Sequence, residues 1–341
     1  MHQVLNKVSH KVFGYKNNNI VYIFKLENIH GNYVELTNYG AALKSIVVPD
    51  RYGKKENIIL GYPSFEGYES DTCYIGSTIG PFANRIAKAL YTIDENTYFL
   101  DKNDGQNNNH SGSAGFNSKV FDFEIENEKL IFTLDSPDGE GGFPGNLKVK
   151  VIYKWSDSNE LSIEYFATTD MPTPINLTNH AYFNLTGGKE SILNHKLSII
   201  SNQFLECTEE YIPTGNILSI EKKIIEHQSI VDVIDGTGHN NYFILDKKLK
   251  KKVLACILTE DISGRSMNVY TSYPGVQFYS GEYLNSKING TNNRPQHPFD
   301  GLCLECQYYP DSPNHLNFPN TLLLPKNIYN ESITYSFGIK L

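Results

Sequence analysis

The segment from Pro174 to Leu185 alternates polar and apolar side chains. Its polar members are Asn176, Thr178, His180, Tyr182 and Asn184. A repeat of two residues is the period of a β-strand, so the pattern predicts a strand with one polar and one apolar face. A face of amides, hydroxyls and one imidazole suits the floor of a cleft that binds a polyhydroxylated ligand. His180 lies in its middle, and an imidazole with an unperturbed pKa of ~6.5 suits proton transfer near neutral pH.

A second predicted strand, Leu302 to Tyr309, places one carboxylate among apolar residues. Alternation predicts Glu305 on one face with Cys303 and Gln307. The opposite face then carries Leu302, Leu304 and Cys306. Burial raises the pKa of a carboxylate toward the range in which it serves as a general base. A salt-bridged structural glutamate is the open alternative, because structural ion pairs also perturb carboxylates.

His110, Arg85 and Asn84 are further candidates for site residues. His110 follows an asparagine-rich run with loop composition, and functional side chains concentrate on loops held by a rigid scaffold. A solvated loop histidine is the competing interpretation. Arg85 and Asn84 stand in an otherwise small and apolar segment, which indicates that they point at a specific partner. A guanidinium offers a rigid fork of donors to vicinal hydroxyls, and a structural ion pair is its competing use.

Motifs for metals, phosphates and serine nucleophiles do not stand out in the sequence. Two histidines and a glutamate form a possible zinc ligand set, but zinc-type spacing is limited to the lone Cys303-Leu-Glu-Cys306 pair. The chain has neither a Gly-x-Ser-x-Gly nucleophile elbow nor a glycine-rich phosphate loop. We therefore expect no metal and no cofactor.

Short alternating segments separated by turn residues recur along the chain and predict the fold class. The clearest strands are 21–26, 33–36, 130–134, 147–153, 161–165, 275–280 and 332–337. The helix candidates are short, such as Pro63 to Tyr68. Many short strands without a linker or a repeat of fixed period predict an all-β protein: one large antiparallel β-sandwich domain over residues 1–341.

Composition narrows the classes of partner. The chain has 341 residues and a formal net charge of −8, which argues against nucleic acid or an acidic membrane surface. Its five cysteines are odd in number and scattered, so we expect free thiols and a cytoplasmic protein. The residues from Met1 to Lys7 lack the apolar run of a signal peptide, and no segment approaches the roughly 20 apolar residues of a membrane span. We expect a monomer or a homodimer.

Nearly the whole sequence resembles the galactose mutarotases, or aldose 1-epimerases. The resemblance rests on the segments around His180 and Glu305 together with further motifs. These are Asn38 to Ala41, Val48 to Gly53, Leu60 to Tyr62, Gly80 to Ala87, Ser136 to Gly145, Ile212 to Gly215, Gly275 to Tyr279, Leu302 to Asp311 and Asn314 to Pro319.

The resemblance implies a β-sandwich with an open cleft that interconverts the α and β anomers of a free aldose, galactose above all. It implies that Glu305 is the general base for the anomeric hydroxyl and that His180 is the general acid for the ring oxygen. His110 then hydrogen-bonds near the ring oxygen. Sugar hydroxyls are bound by Arg85, Gln277, Asn240 and, as a weaker candidate, Asn84.

Three positions depart from the family pattern. Pro81 stands where the family commonly has the first arginine of Gly-Arg-x-Ala-Asn-Arg. Ser111 stands where the family has the first glycine of Leu-His-Gly-Gly. Asn240 replaces a sugar-binding aspartate, and an amide retains hydrogen bonding but loses the charge assistance, about a factor of two per bond. These departures bear on the choice of sugar and leave the acid–base pair intact.

Three alternatives remain open at the level of sequence. The first is a non-catalytic sugar-binding protein on the same fold, although such a protein needs neither an acid nor a base. The second is an epimerase for another sugar, such as a phosphorylated hexose or a disaccharide; scarce arginine argues against a phosphate site. The third is a metal-dependent hydrolase.

Overall fold

The computed structural model describes residues 7–220, 227–234, 238–246 and 251–340. The first six residues, on which part of the expectation about a signal peptide rests, lie outside them. In the first half of the chain the strands are β1 (Lys7–Lys16), β2 (Asn19–Glu27), β3 (Tyr33–Thr37), β4 (Ala42–Pro49), β5 (Lys55–Asn57), β6 (Thr78–Ile79), β7 (Arg85–Ile86), β8 (Leu90–Ile93), β9 (Asn96–Phe99), β10 (Asn108–Asn109), β11 (Asp122–Glu126), β12 (Lys129–Ser136), β13 (Leu147–Trp155) and β14 (Glu160–Thr169).

The remaining strands complete the sheets. They are β15 (Thr173–Pro174), β16 (Thr178–Asn179), β17 (Lys196–Ile199), β18 (Ser201–Cys207), β19 (Pro213–Ser219), β20 (Gln228–Ser229), β21 (Asn240–Leu245), β22 (Val253–Thr259), β23 (Arg265–Thr271), β24 (Gly275–Tyr279), β25 (Cys303–Gln307), β26 (Leu322–Leu323) and β27 (Tyr329–Ile339). All seven segments that the sequence identifies as its clearest strands lie in strands of the structure or extend one residue beyond them.

Helices are short throughout the described residues. The α-helices are α1 (Phe65–Glu69) and α2 (Ile230–Ile234), and the 3₁₀ turns are Ala87–Ala89, Gly112–Ala114, Phe116–Ser118, Glu140–Gly142, Ile192–Asn194 and Ser312–Asn314. The predicted helix at Pro63 to Tyr68 is confirmed as α1. Among the described residues, no helix is long and apolar enough to cross a bilayer.

Three large antiparallel sheets build the sandwich. The nine-stranded sheet has the order β11-β12-β13-β14-β27-β23-β22-β17-β20. One five-stranded sheet runs β1-β2-β3-β4-β5, and the other runs β19-β18-β21-β24-β25. The predicted all-β antiparallel sandwich is therefore confirmed. That residues 1–341 form a single domain remains a prediction.

A common hydrophobic core joins the three sheets. Strand β13 shows the underlying pattern, because alternate residues from Leu147 to Trp155 are buried while Lys148, Lys150 and Lys154 point to solvent. The core takes side chains from each sheet, including Phe24, Leu36, Phe132, Val151, Tyr335, Val276 and Leu304. Phe24 and Phe132 meet edge to face with ring centroids 5.4 Å apart. The sheet that contains β25 thus has its apolar face in the core and its other face available for a site.

Candidate active site

Six of the seven predicted site residues line one cleft of about 170 Å³ on the side of the β25 sheet away from the core. They are Asn84, Arg85, His110, His180, Asn240 and Glu305. Glu305 lies on β25 and Asn240 on β21 of the same sheet, and His180 follows β16 directly. Arg85 lies on β7 and His110 directly follows β10, and these two paired two-residue strands place Asn109 opposite Arg85. The fold thus gathers side chains that are far apart in sequence.

Glu305 is a buried carboxyl group with one oxygen unpaired among the described residues. The predicted partition of its strand is confirmed, because Leu302, Leu304 and Cys306 enter the main core, whereas Cys303 joins a separate cluster with Tyr182 and Tyr279. The residue is 2% exposed, and its Oε2 atom has no partner among the described residues. Burial raises the pKa of Glu305 to about 8, although the nearby Arg85 charge opposes this rise. A buried polar atom left unpaired at a cost is characteristic of a functional group.

His180 is fixed by its backbone and by a thiol. Its backbone N–H donates to the carbonyl of Ser77 at 2.9 Å, and its own carbonyl accepts from Gly76 at 3.0 Å. The ring Nδ1 atom lies 3.4 Å from Sγ of Cys303, which is buried on β25. Burial lowers the pKa of His180 to about 4. The imidazole is therefore held beside Glu305 in its neutral form.

Glu305 and His180 together hold one proton over a wide pH range. His180 Nε2 lies 3.7 Å from Glu305 Oε1, which is too long for a direct hydrogen bond but close enough for strong electrostatic coupling. Burial disfavours the charged form of each group, so the pKa of the carboxyl rises and the pKa of the imidazole falls. These opposite pKa shifts favour the arrangement with the proton on Glu305. Hydrogen bonds from a bound ligand to the carboxylate favour the other arrangement, with the proton on His180.

His110 is oriented as a hydrogen-bond donor. The backbone N–H of Asn84 donates to His110 Nδ1 at 3.1 Å, so the neutral ring carries its proton on Nε2. Burial lowers the pKa of His110 well below its usual value, and the nearby His180 and Arg85 add to this effect. Its ring meets the His180 ring edge to face at 5.4 Å. A neutral Nε2–H group can donate to a ligand oxygen without titrating near neutral pH.

His110, His180 and Glu305 also form a cluster with the composition of a zinc site. One potential ligand atom from each residue lies within 4.8 Å of the others, although the sequence spacing gave no sign of it. The tautomer of His110 argues against a metal, because its Nδ1 lone pair accepts from Asn84 and its Nε2 atom carries the proton. Histidines that bind zinc instead donate their second ring N–H to an oxygen acceptor. The absence of a metal in the working protein stays a prediction.

Arg85 is held at the side of the cleft by an ion pair. Its Nε atom donates to Asp104 Oδ2 at 2.7 Å, and its guanidinium lies 5.1 Å from the centroid of the Tyr211 ring. Within the described parts of the chain, its two terminal nitrogens make no hydrogen bond. Arg85 therefore forms a structural ion pair through Nε and, among the described residues, still has free terminal donors for ligand hydroxyls. The two interpretations of Arg85 from the sequence, an ion pair and a hydroxyl-binding group, are compatible.

Gln277 lies behind Asn240 rather than on the cleft wall. It is 4% exposed, and its Nε2 atom donates to Asn240 Oδ1 at 2.6 Å. This bond occupies the Asn240 carbonyl, and the Asn240 amide nitrogen has no hydrogen-bond partner among the described residues. Asn240 therefore presents a donor at a position where the family pattern has a carboxylate acceptor.

The other two departures from the family pattern, Pro81 and Ser111, form hydrogen bonds with backbone groups of neighbouring segments. Pro81 does not line the cleft, and its carbonyl accepts from the backbone N–H of Asn176 at 2.8 Å. Ser111 is fully buried; its Oγ accepts from the N–H of Phe82 at 2.8 Å and donates to the Phe82 carbonyl at 3.0 Å. Ser111 directly follows His110, so its two hydrogen bonds with Phe82 tie the His110 loop to the segment that carries Asn84.

The prediction of one continuous strand from Pro174 to Leu185 is wrong. Only β15 and β16 are strands there, and the rest of the segment crosses between sheets. Three of its polar side chains bind backbone carbonyls of neighbouring segments. The bonds are Asn176 Nδ2 to Ala83 at 3.2 Å, Thr178 Oγ1 to Cys306 at 2.8 Å and Asn184 Nδ2 to Asp300 at 2.8 Å. These groups substitute for strand pairing, and only His180 and Tyr182 of the polar row reach the cleft.

The aromatic walls of the site were predicted only in part, because the polar row of the sequence includes Tyr182 but the reasoning missed Tyr74 and Tyr279. Tyr74, Tyr182 and Tyr279 all line the cleft. The Tyr74 ring lies 4.7 Å from His110, and the Tyr182 ring lies 5.0 Å from His180. A signal existed for Tyr279, which shares a face of its predicted strand with Gln277. The rings exclude water and lower the local dielectric, which strengthens electrostatic interactions in the site.

An antiparallel sandwich with a buried, partly unpaired Glu–His pair in a polar cleft defines an acid–base enzyme of carbohydrate type. The chain belongs to the aldose 1-epimerase family, whose model matches residues 22–336. It is 38% identical to the galactose mutarotase of Mus musculus over 90% of this chain and 91% of that protein. It is 36% identical to the aldose 1-epimerase of Escherichia coli K12 over 92% and 94% of the two chains.

Solved structures agree with the family assignment. The galactose 1-epimerase of Lactobacillus acidophilus superposes with a TM-score of 0.86 at 26% identity, over 98% of this chain and all of that one. An aldose epimerase homologue from C. elegans gives a TM-score of 0.87 at 28% identity, over 93% and 98% of the two chains. The sequence-based recognition of the family is confirmed.

Proposed function

We propose that this protein is an aldose 1-epimerase that interconverts the α and β anomers of free aldohexoses such as galactose. The single observation that carries the proposal is the pairing of Glu305 Oε1 with His180 Nε2 at 3.7 Å inside the cleft. One buried group is poised to take up a proton and the other to release one. A sugar-binding protein without catalytic activity has no use for such a pair.

Ring opening requires a proton to leave one oxygen of the hemiacetal and another to reach the second oxygen. Glu305 takes the proton from the anomeric hydroxyl, the bond between the anomeric carbon and the ring oxygen breaks, and His180 delivers a proton to that ring oxygen. The Nε2–H group of His110 donates to the oxygen on which negative charge develops. The open aldehyde turns about its first carbon–carbon bond and closes on the other face by the reverse proton transfers. Each acid–base group contributes about 10²–10⁴-fold in rate.

Three side chains supply the binding contacts in this proposal, and a fourth supports one of them. Arg85 and Asn84 contact sugar hydroxyls from one side of the cleft, and Asn240 donates from the other. Gln277 acts through Asn240, because its amide holds the Asn240 carbonyl at 2.6 Å. The galactose mutarotases among the relatives favour galactose as the sugar, with glucose as the natural comparison.

The cytoplasm is the proposed location. All five cysteines are free thiols, which fits a reducing compartment.

Polarimetry of freshly dissolved α-galactose and α-glucose tests the function. Purified protein should accelerate the approach to anomeric equilibrium well above the buffer rate, and Glu305→Gln should remove that acceleration. A wild-type protein that binds galactose by calorimetry and leaves the optical rotation at the buffer rate would instead be a sugar-binding protein.

A further inference from the structure

Asp311 holds both ends of the short strand that carries Arg85. Its backbone N–H donates to the carbonyl of Arg85 at 2.8 Å. Its carboxylate Oδ1 atom accepts from the backbone N–H of Ala87 at 2.9 Å. Strand β7 ends at Ile86, so these two bonds bracket it. A strand of two residues has little pairing of its own and depends on such contacts for its position.

The Asp311 carboxylate is buried, and each of its two oxygens has a polar partner. Oδ1 also accepts from Asn314 Nδ2 at 2.6 Å, and Oδ2 lies 3.2 Å from His315 Nε2. Asp311 is 2% exposed and does not line the cleft. A buried carboxylate is costly unless it is fully paired, so a network of this kind defines one geometry. Asp311 therefore acts on its neighbours and has no contact with a ligand in the cleft.

The same chain segment carries Glu305 on β25 and Asp311 a few residues later. Asp311 thus connects the segment that follows β25 to the strand of Arg85. Strand β7 in turn pairs with β10, where Asn109 lies opposite Arg85 and directly precedes His110. A change at Asp311 therefore acts on Arg85, whereas His110 is held by its own backbone and ring bonds to Asn84.

We propose that Asp311 is a positioning residue that sets the Arg85 guanidinium against the sugar hydroxyls. The inference rests on the proposed function and deepens it. It predicts a loss of sugar binding rather than a loss of the chemical step, because the hydrogen bonds of Asp311 reach Arg85 and Ala87 but neither Glu305 nor His180. It also predicts that Asp311 matters only while Arg85 is present.

Steady-state anomerisation of galactose by the full-length chain tests this. Asp311→Ala should raise KM about tenfold, the usual effect of one lost hydrogen bond to a charged group, with kcat within twofold. Asp311→Asn keeps an acceptor for Ala87 and should raise KM two- to fourfold; it decides the test if Asp311→Ala does not fold. In the Arg85→Ala background, either substitution should change KM by less than twofold. An unchanged KM, a fall in kcat alone or multiplicative effects with Arg85→Ala would overturn the proposal.

Glu260→Gln is the matched control. Glu260 is also buried, its carboxylate accepts from the backbone N–H groups of Ile262 and Ser263, and it lies outside the cleft. Its substitution should lower the midpoint of thermal unfolding as the Asp311 variants do, with KM unchanged. A KM that rises equally in Glu260→Gln would reduce Asp311 to a general structural role. Failure of the proposed function itself would appear differently, as a wild-type protein without activity.

Discussion

His180 Nε2 lies 3.7 Å from Glu305 Oε1, and the two side chains are only 5% and 3% exposed. Neither atom can form the short hydrogen bond of a closed ion pair at this distance, so both remain available to a ligand. Burial moves their pKa values in opposite directions, to about 4 for His180 and to about 8 for Glu305. The pair therefore holds a single proton between these values, and ring opening requires that a bound sugar shift this proton from Glu305 to His180.

The pH profile of kcat/KM should be bell-shaped, with a plateau between apparent pKa values of about 4 and about 8. Below the lower value, His180 binds a second proton and Glu305 cannot act as a base. Above the higher value, the pair loses its only proton and His180 cannot act as an acid. Each limb should fall about tenfold per pH unit. Polarimetric rates in buffers of constant ionic strength measure the profile, and activity still rising above pH ~9 would contradict the assignment.

Stability should respond to pH through Glu305. Its pKa in the folded protein is about 8, well above the value in an unfolded chain, so folding requires proton uptake between pH ~5 and ~8. Wild-type stability therefore falls as pH rises through this window, by up to about 1.4 kcal/mol per pH unit from this group.

Glu305→Gln removes that proton uptake. The free energies of unfolding of both proteins are measured by urea denaturation at pH 5 and pH 8. Relative to the wild type, the variant should be more stable at pH 8 than at pH 5. An equal difference between the two proteins at both pH values would show that the Glu305 carboxyl is not desolvated in solution.

His110 should contribute as a donor and not as a titrating group. His110→Ala removes the Nε2–H and should lower kcat about 10²-fold, in the range measured for loss of one oxyanion donor. The limbs of the pH profile should remain where they are, because the pKa of His110 is already far below the working range. A shifted acid limb in His110→Ala would instead make His110 the titrating acid.

Asn240→Asp should tighten galactose binding. The Gln277 amide bonds the side-chain oxygen at 2.6 Å, so the substitution replaces a donor facing the cleft with a charged acceptor. A charged acceptor strengthens a bond from a sugar hydroxyl about twofold in energy, and KM should fall several-fold. The added negative charge also raises the pKa of Glu305, which moves the alkaline limb upward. Calorimetry with galactose measures the first effect, and weaker binding by the variant would assign a donor role to Asn240.

Metal chelation should leave the rate unchanged. His110 and His180 lie near Glu305 in a zinc-like cluster, but the Nε2 atom of His110 bears a proton because Asn84 donates to its Nδ1. Prolonged dialysis against chelator followed by polarimetry gives the measurement. Loss of activity that added Zn²⁺ restores would reverse this expectation.

The sequence predicted more of the sheets than of the site. Alternation placed Leu304 and Glu305 on opposite faces of β25, and the structure agrees. Successive side chains of a strand point to opposite faces, so the local sequence alone decides which of them face the core. The same rule failed for Asn176 and Thr178. Their side chains form hydrogen bonds with backbone carbonyls of distant segments, and a local pattern contains no information about such partners.

The amino-acid sequence by itself determined the antiparallel sandwich, the family and the identity of Glu305, His180, His110 and Arg85 as candidates, because strand periodicity and motif residues are local properties. Only the tertiary structure decided that these side chains meet in one cleft, that Gln277 acts through Asn240 and that Asp311 brackets β7. It also decided the pKa values, since desolvation depends on every segment packed around a group. The chemistry of the Glu305–His180 pair arises from that shared burial.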